Sequence, residues 1–196
     1  MPLIFKRLAL LISITAAFAA DKQTPFRPPA AGAMAHHQTN EQVTIGVEAY
    51  TTSDKLKTVF GKLDPNQYGV LPVLVVIEND SPKTLKADDL QVQYVAPNHS
   101  KADFTPAKEV KFLKPPSRPT VVPGPGAGII LKGKNPLDAG EIEGRAFAAV
   151  MIPPGQTASG FFYFQASLQQ GATLYLNGLA EAGTGKELFY FEMPLE

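Results

Sequence analysis

Alternation of apolar and polar residues predicts β-strands along most of this chain. In residues 43–51, Val43, Ile45 and Val47 alternate with polar or small neighbours, the period of two that a half-buried strand shows. Residues 70–78 are apolar on both faces, which is typical of a central strand covered on both sides. Further strands are predicted at residues 89–95, 107–113, 145–152, 157–168, 172–177 and 187–193.

The period changes directly after the first strand. Leu56, Val59, Phe60 and Leu63 lie at helical spacing, and Ser53 can cap the start of a helix that Asp64-Pro65 ends. Residues 136–143 can form one or two further helical turns. About seven or eight short strands separated by turn signals predict a mainly β fold, an antiparallel immunoglobulin-like β-sandwich with one short helix after the first strand. We expect this domain to occupy residues 43–196.

The chain begins with the three parts of a secretory signal peptide. Lys6 and Arg7 form a short basic start, residues 8–18 are mostly apolar, and Ala17-Phe18-Ala19 fits the small-x-small cleavage pattern. We therefore expect residues 1–19 to be removed, leaving a periplasmic or secreted product without a membrane span. Residues 20–42 are polar, alanine-rich and proline-rich, and they predict a flexible tether that includes the pair His36-His37.

Residues 114–135 are rich in proline and glycine and predict a long irregular loop within the domain. A loop of this length is either a mobile insertion or a functional segment. It could also present a polyproline II stretch to a partner.

Composition excludes several classes of function. The chain has no cysteine, which rules out a thiol nucleophile, a thiolate metal site and disulfide redox chemistry. Its 18 basic residues balance its 18 acidic residues, which argues against nucleic acid or anionic lipid as a partner. Gly183-Thr184-Gly185-Lys186 resembles the end of a phosphate-binding loop, but Glu187 follows where Ser or Thr should hold magnesium. We interpret it as a hairpin turn, and we expect no metal and no cofactor.

Aromatic residues on the outer faces of the last three strands form the candidate binding surface. If these strands pair with one another, one face carries an aromatic patch with amide groups beside it: Phe161, Tyr163, Gln165, Tyr175, Asn177 and Tyr190. Three interpretations stay open. The rings can stiffen the sheet through cross-strand pairs, they can form a protein–protein interface, or they can stack on the sugars of a glycan.

Two segments carry a resemblance to a known family. One is the apolar strand that runs into Asn79-Asp80-Ser81, and the other is the turn Pro153-Pro154-Gly155 that leads into the aromatic strand ending at Phe164. Together they resemble the telokin-like, immunoglobulin-like exported domains of bacteria, most of which are uncharacterised. The resemblance implies a fold more than a chemistry.

The sequence therefore favours a non-enzymatic binding or structural module of the bacterial cell envelope that mediates protein–protein contacts. Its partner would be an envelope protein, a polysaccharide or a second copy of the chain. A glycan-binding module using the aromatic patch is one alternative. A cofactor-free hydrolase is another, which would use two carboxylates that the fold brings into one cleft.

Overall fold

The computed structural model describes residues 26–113, 135–138 and 140–195. The predicted signal peptide, the start of the predicted tether and nearly all of the proline- and glycine-rich loop lie outside these residues. The described residues form eleven strands: β1 (His36–Asn40), β2 (Val43–Ala49), β3 (Leu71–Asn79), β4 (Leu85–Lys86), β5 (Gln91–Val95), β6 (Lys101–Asp103), β7 (Met151–Ile152), β8 (Gln156–Phe164), β9 (Thr173–Asn177), β10 (Ala180–Glu181) and β11 (Phe191–Pro194).

Short helices connect some of these strands. They are α1 (Ser53–Phe60), α2 (Ala107–Val110) and α3 (Gly140–Arg145), with 3-10 turns at Ala31–Ala33 and Pro65–Tyr68. The helix predicted after the β2 segment is thus confirmed as α1, whose apolar side buries Leu56, Val59 and Phe60.

The strands form three antiparallel sheets. The first sheet has the order β1-β2-β3-β8, the second has the order β11-β9-β5-β6, and a small sheet has the order β10-β4-β7. Apolar side chains of all three sheets share one hydrophobic core. The first sheet contributes Ile45 and Val75 to it, the second contributes Val92 and Leu174, and the small sheet contributes Leu85. The mainly β, antiparallel sandwich that the sequence predicted is confirmed, with more strands than expected.

A layer of helices covers the outer face of the first sheet. Leu74 and Val76 of β3 belong to a second hydrophobic cluster with Phe60 of α1, Val110 of α2 and Ile142 of α3. Strand β3 lies between β2 and β8, and all its residues except Glu78 are buried. The prediction of a central strand covered on both faces is confirmed, because one face meets the sandwich core and the other meets the helices.

The prediction of a flexible tether up to residue 42 is wrong for its last part. Strand β1 pairs with β2 in full register, from His36 opposite Val47 to Asn40 opposite Val43. The preceding turn lies on the first sheet at Gly46, where an added Cβ would lie 2.5 Å from the Met34 sulfur and 2.8 Å from the Ala31 carbonyl oxygen. The Ala31 amide also donates to the Glu78 carboxylate at 2.9 Å. These contacts fix the position of a segment whose sequence shows no regular alternation of apolar and polar residues.

One predicted strand is wrong, and another is shorter than predicted. In the strand predicted at 107–113, residues Ala107–Val110 instead form α2, which buries Val110 among the helices. Residues 145–150 do not continue a strand into β7; Ala146 forms an isolated parallel bridge to Phe161 of β8. A Cβ at Gly160 would lie 2.3 Å from the Phe147 Cα, so only glycine permits this close approach. Within the described residues, no helix is long and apolar enough to cross a membrane.

Candidate functional site

The structure divides the predicted aromatic patch between two layers of the protein. Strand β8 pairs with β3 in the first sheet, whereas β9 and β11 pair with each other in the second. The expectation that the last three strands form one surface is therefore wrong. Strand order is set by contacts between residues far apart in sequence, which no local pattern contains.

Phe161 and Tyr163 are buried beneath the helices. They are only 2% and 1% exposed, and Phe161 packs edge-on against Phe60 of α1 at a ring distance of 5.2 Å. The Tyr163 hydroxyl donates to the Ile142 carbonyl oxygen of α3 at 2.8 Å, and burial raises the pKa of this phenol. Both rings are core residues, so their proposed role in an exposed binding surface is wrong. Gln165 is exposed and directly follows β8, which belongs to the first sheet.

Tyr175 and Tyr190 remain together on the outer face of the second sheet. Their rings stack at a centroid distance of 5.3 Å with an interplanar angle of 29°. The Lys101 ammonium lies 5.8 Å from the centre of the Tyr175 ring. Asn177 lies two residues along β9 on the same face and is half-buried. We call these residues, together with Phe189, the tyrosine face.

Phe189, which precedes Tyr190 in the chain, is exposed, and the sequence did not predict this. Alternation through the predicted strand at 187–193 places Phe189 inside and Leu188 outside, and the structure shows the reverse. Phe189 is 68% exposed, whereas Leu188 is buried and its amide donates to the Leu179 carbonyl at 2.7 Å. The ladder with β9 begins only at Phe191, so the alternation of β11 does not extend back to this residue.

A second site, which we call the aromatic cavity, opens beside β8. It has a volume of about 430 Å³. Its lining includes Phe104 and Thr105 after β6, Phe147 after α3, and Phe161, Phe162 and Tyr163 of β8. The Thr105 amide donates to the Tyr163 carbonyl oxygen at 2.7 Å, and the Phe147 amide donates to that of Phe161 at 3.1 Å. These two bonds hold the flanking segments against β8 at either end of the cavity.

The floor of the aromatic cavity is a cluster of three phenylalanine rings. Phe162 meets Phe104 edge-to-face at a ring distance of 5.1 Å and stacks on Phe147 at 5.3 Å. Charged side chains stand at the rim, Lys108 and Glu109 from α2 and Glu143 from α3. Sequence reasoning missed this site, because its residues come from three separate segments. The one available signal was the density of phenylalanines in β8.

Several other interpretations can be compared with the structure. Gly183–Lys186 forms a hairpin turn, as predicted, in which the Gly185 amide donates to the Glu181 carbonyl oxygen at 2.8 Å. Lys83 and Thr184 hydrogen-bond to the Glu181 carboxylate and lower its pKa. Among the described residues, no group of three or more His, Asp or Glu side chains could hold a metal ion. The His37 ring lies 2.8 Å from the Met34 carbonyl oxygen through Nδ1.

Comparisons with known proteins add little. No family model and no curated protein matches the chain. Among solved structures, the chain is similar to one described as the X-ray structure of Northeast Structural Genomics Consortium target SoR45. The match has 10% sequence identity and a TM-score of 0.35, and it covers 81% of this chain and 90% of that chain. Likeness at this level assigns neither a family nor an activity.

Proposed function

We propose that this protein is a non-enzymatic binding module that is exported to the bacterial cell envelope and contacts another protein through the tyrosine face. The observation that carries the proposal is the exposure of adjacent aromatic residues, since Phe189 is 68% and Tyr190 is 54% exposed. Exposed aromatic side chains are typical of protein interfaces, where tyrosine and phenylalanine are enriched.

The geometry favours a protein partner over a glycan. Sugars stack on the free face of an aromatic ring, but one face of the Tyr175 ring is covered by Tyr190. The Lys101 ammonium lies 5.8 Å from the centre of the same ring and leaves less of that ring free for a sugar. The pair therefore offers less free ring surface than two separate tyrosines would. A stacked pair with exposed Phe189 next to Tyr190 in the chain suits an apolar protein contact.

A hydrolase is supported less well. The aromatic cavity does carry two carboxylates, Glu109 and Glu143, as the hydrolase alternative requires. However, both are exposed at the rim, and the lining between them is largely apolar. A glycosidase needs polar groups that hold sugar hydroxyls around its carboxylates. A binding role therefore fits this lining better than hydrolysis does.

Site-specific photo-crosslinking in the native host tests the proposed contact. Replacing Tyr190 with p-benzoylphenylalanine should give a defined crosslinked product, while the same replacement at Phe112, which is 74% exposed elsewhere, should not. The additional substitution Phe189→Ser should weaken the product at position 190 without changing the melting temperature. Equal crosslinking at both positions, or none at position 190, would contradict the proposal.

Export is tested separately by the mass of the mature protein. We expect cleavage after Ala19 and recovery of the product from the periplasm or the medium. A control with Ala17→Leu and Ala19→Leu should block cleavage, because large side chains do not fit the small-x-small pattern. Recovery of the unmodified protein with an intact Met1 start from the cytoplasm would overturn this part of the proposal.

A further inference from the structure

The aromatic cavity is a site that the proposed protein contact does not use. Its volume of about 430 Å³ lies within the range of about 300–1,000 Å³ that small-molecule sites occupy. Its floor is built from core residues, because Phe162 is 6% exposed and packs between Phe104 and Phe147. The cavity is therefore held by the sandwich itself and belongs to a different surface from the tyrosine face.

The charges that line the cavity are unequal. Glu109, Glu143 and Lys108 contribute two carboxylates and one ammonium group. Within the part of the chain that the structure describes, neither carboxylate forms an ion pair. Of the cations nearby, Lys111 pairs with Asp138 at 3.5 Å, and the Arg145 guanidinium, which keeps its charge, lies 5.8 Å from the Phe26 ring. The side chains that line the cavity therefore carry one more negative than positive charge.

The aromatic floor favours a ligand with an apolar body, because apolar surface is stabilised when it is removed from water. A carboxylate in the ligand would face the rim glutamates, which would disfavour it. An uncharged apolar ligand would gain the burial of its surface but nothing from the rim.

We propose that the aromatic cavity binds a small organic cation with an apolar body, such as an aromatic or alkyl ammonium compound. The apolar body lies against Phe104, Phe147 and Phe162, and the ammonium group lies at the rim near Glu109 and Glu143. The shape of the site and the sign of its charge select this class of ligand together.

Binding measurements with three matched probes test this inference. The probes are 2-phenylethylammonium, 2-phenylethanol and 3-phenylpropionate, which share an aromatic body and differ in charge. Calorimetric titration should give the tightest Kd for the cation and the weakest for the anion. We expect about two- to five-fold weaker cation binding in the absence of each rim carboxylate, the usual range for a partly exposed ion pair. High salt should reduce the preference for the cation.

Variants at the rim separate charge from shape. Glu109→Gln and Glu143→Gln should weaken the cation and leave the neutral alcohol unchanged, and Lys108→Gln should strengthen the cation. Glu141→Gln is the matched control, since Glu141 is exposed on the same helix as Glu143 but does not line the cavity. Phe104→Leu should weaken the cation and the alcohol alike. The four charge substitutions, at Lys108, Glu109, Glu141 and Glu143, change exposed side chains and should leave the melting temperature of the full chain unchanged.

Three outcomes would overturn the inference. They are equal affinity for the cation and the alcohol, tighter binding of the anion, and no binding of the cation up to millimolar concentration. None of these outcomes bears on crosslinking at Tyr190, so the inference and the proposed function can fail independently.

Discussion

The carbonyl oxygen of Tyr50 accepts a hydrogen bond of 2.9 Å from the side-chain amide of Asn66. Tyr50 lies one step beyond β2, opposite Pro72 of β3, and its own amide donates to the Pro72 carbonyl at 2.9 Å. A residue other than proline would return a bond from its amide to Tyr50, but proline has no N–H to donate. The Asn66 side chain supplies the missing donor, which explains how a proline fits into a central strand.

Removing this donor should destabilise the fold. We expect Asn66→Ala to lower the free energy of unfolding by about 1–3 kcal/mol, because the Tyr50 carbonyl is left without a partner in a buried setting. Urea denaturation followed by circular dichroism measures this. Gln67→Ala is the control, since Gln67 is exposed and, among the described residues, its side chain bonds only to the Asp64 carboxylate. Equal effects of the two substitutions would show that Asn66 does not replace the proline donor.

Two Asn-x-Ser segments occur in the chain, Asn79–Ser81 at the end of β3 and Asn98–Ser100 in a turn. We expect the first to contribute far more to the stability of the fold than the second. The side-chain amide of Asn79 donates through Nδ2 to the carbonyl oxygens of Lys83 and Ile152, both at 2.8 Å, and its Oδ1 accepts from the Ser81 hydroxyl. Asn79 is fully buried. We expect Asn79→Ala to cost about 3 kcal/mol, because several buried groups lose their partner together.

Asn98→Ala is a close control for this prediction. Asn98 also accepts from the serine two residues later, with the Ser100 hydroxyl at 2.7 Å, but this turn is exposed. Its replacement should cost less than about 1 kcal/mol, since water can replace the lost bond. Similar denaturation midpoints for Asn79→Ala and Asn98→Ala would show that burial does not increase the contribution of the Asn79 hydrogen bonds to stability.

The ordered segment before β1 can be tested at Gly46. An alanine there would collide with Met34 and Ala31, so we expect a loss of about 1–3 kcal/mol from overpacking. Hydrogen exchange should then increase at residues 31–40. Gly144→Ala is the control, because no atom lies within 4 Å of a Cβ added there, and alanine favours a helix by up to about 1 kcal/mol. Unchanged exchange in Gly46→Ala would mean that the segment is not docked as described.

Stability should fall at alkaline pH. Burial, together with the nearby Glu48 carboxylate, raises the pKa of Tyr50 to about 12. In the unfolded chain an ordinary phenol ionises at about pH 10, so between these values the folded state holds a proton that the unfolded state has lost. Raising the pH through this window therefore favours unfolding.

Tyr50→Phe removes the titrating hydroxyl and retains the ring. The drop in unfolding free energy between pH 8 and pH 11 should be smaller in this variant than in the wild type. Denaturant titrations at the two pH values measure the difference. An identical drop in both proteins would show that Tyr50 does not contribute to alkaline sensitivity.

Elements that depend on local contacts were predicted correctly, whereas elements that depend on contacts between distant residues were not. The helix at Leu56 and Phe60 was predicted because its period is local, and β3 was recognised because both of its faces are apolar. The segment at Val110 was predicted as a strand, but its burial against α3 and the outer face of the first sheet makes it a helix. A segment of only four residues is too short for its own pattern to distinguish a helix from a strand.

The candidate site shows the same limit. Alternation correctly placed Tyr175 and Asn177 on the outer face of β9, and Tyr190 is exposed beside them. It also placed Phe161 and Tyr163 on the outer face of their strand, which is correct, but that face is covered by helices. Exposure of a strand face depends on the next layer of the fold, and the order of residues within the strand carries no information on it.

The sequence by itself determined the mainly β class, the central position of β3 and the turns at Asn79 and Gly185, because each depends on the period or the conformational preference of a few adjacent residues. Only the tertiary structure decided which strands share a sheet and which aromatic rings reach the surface. It also formed the cavity between β8 and its flanking segments. Those features depend on contacts between residues far apart in the chain. Several strand pairings fit the local pattern equally well, and the burial of hydrophobic surface selects one of them.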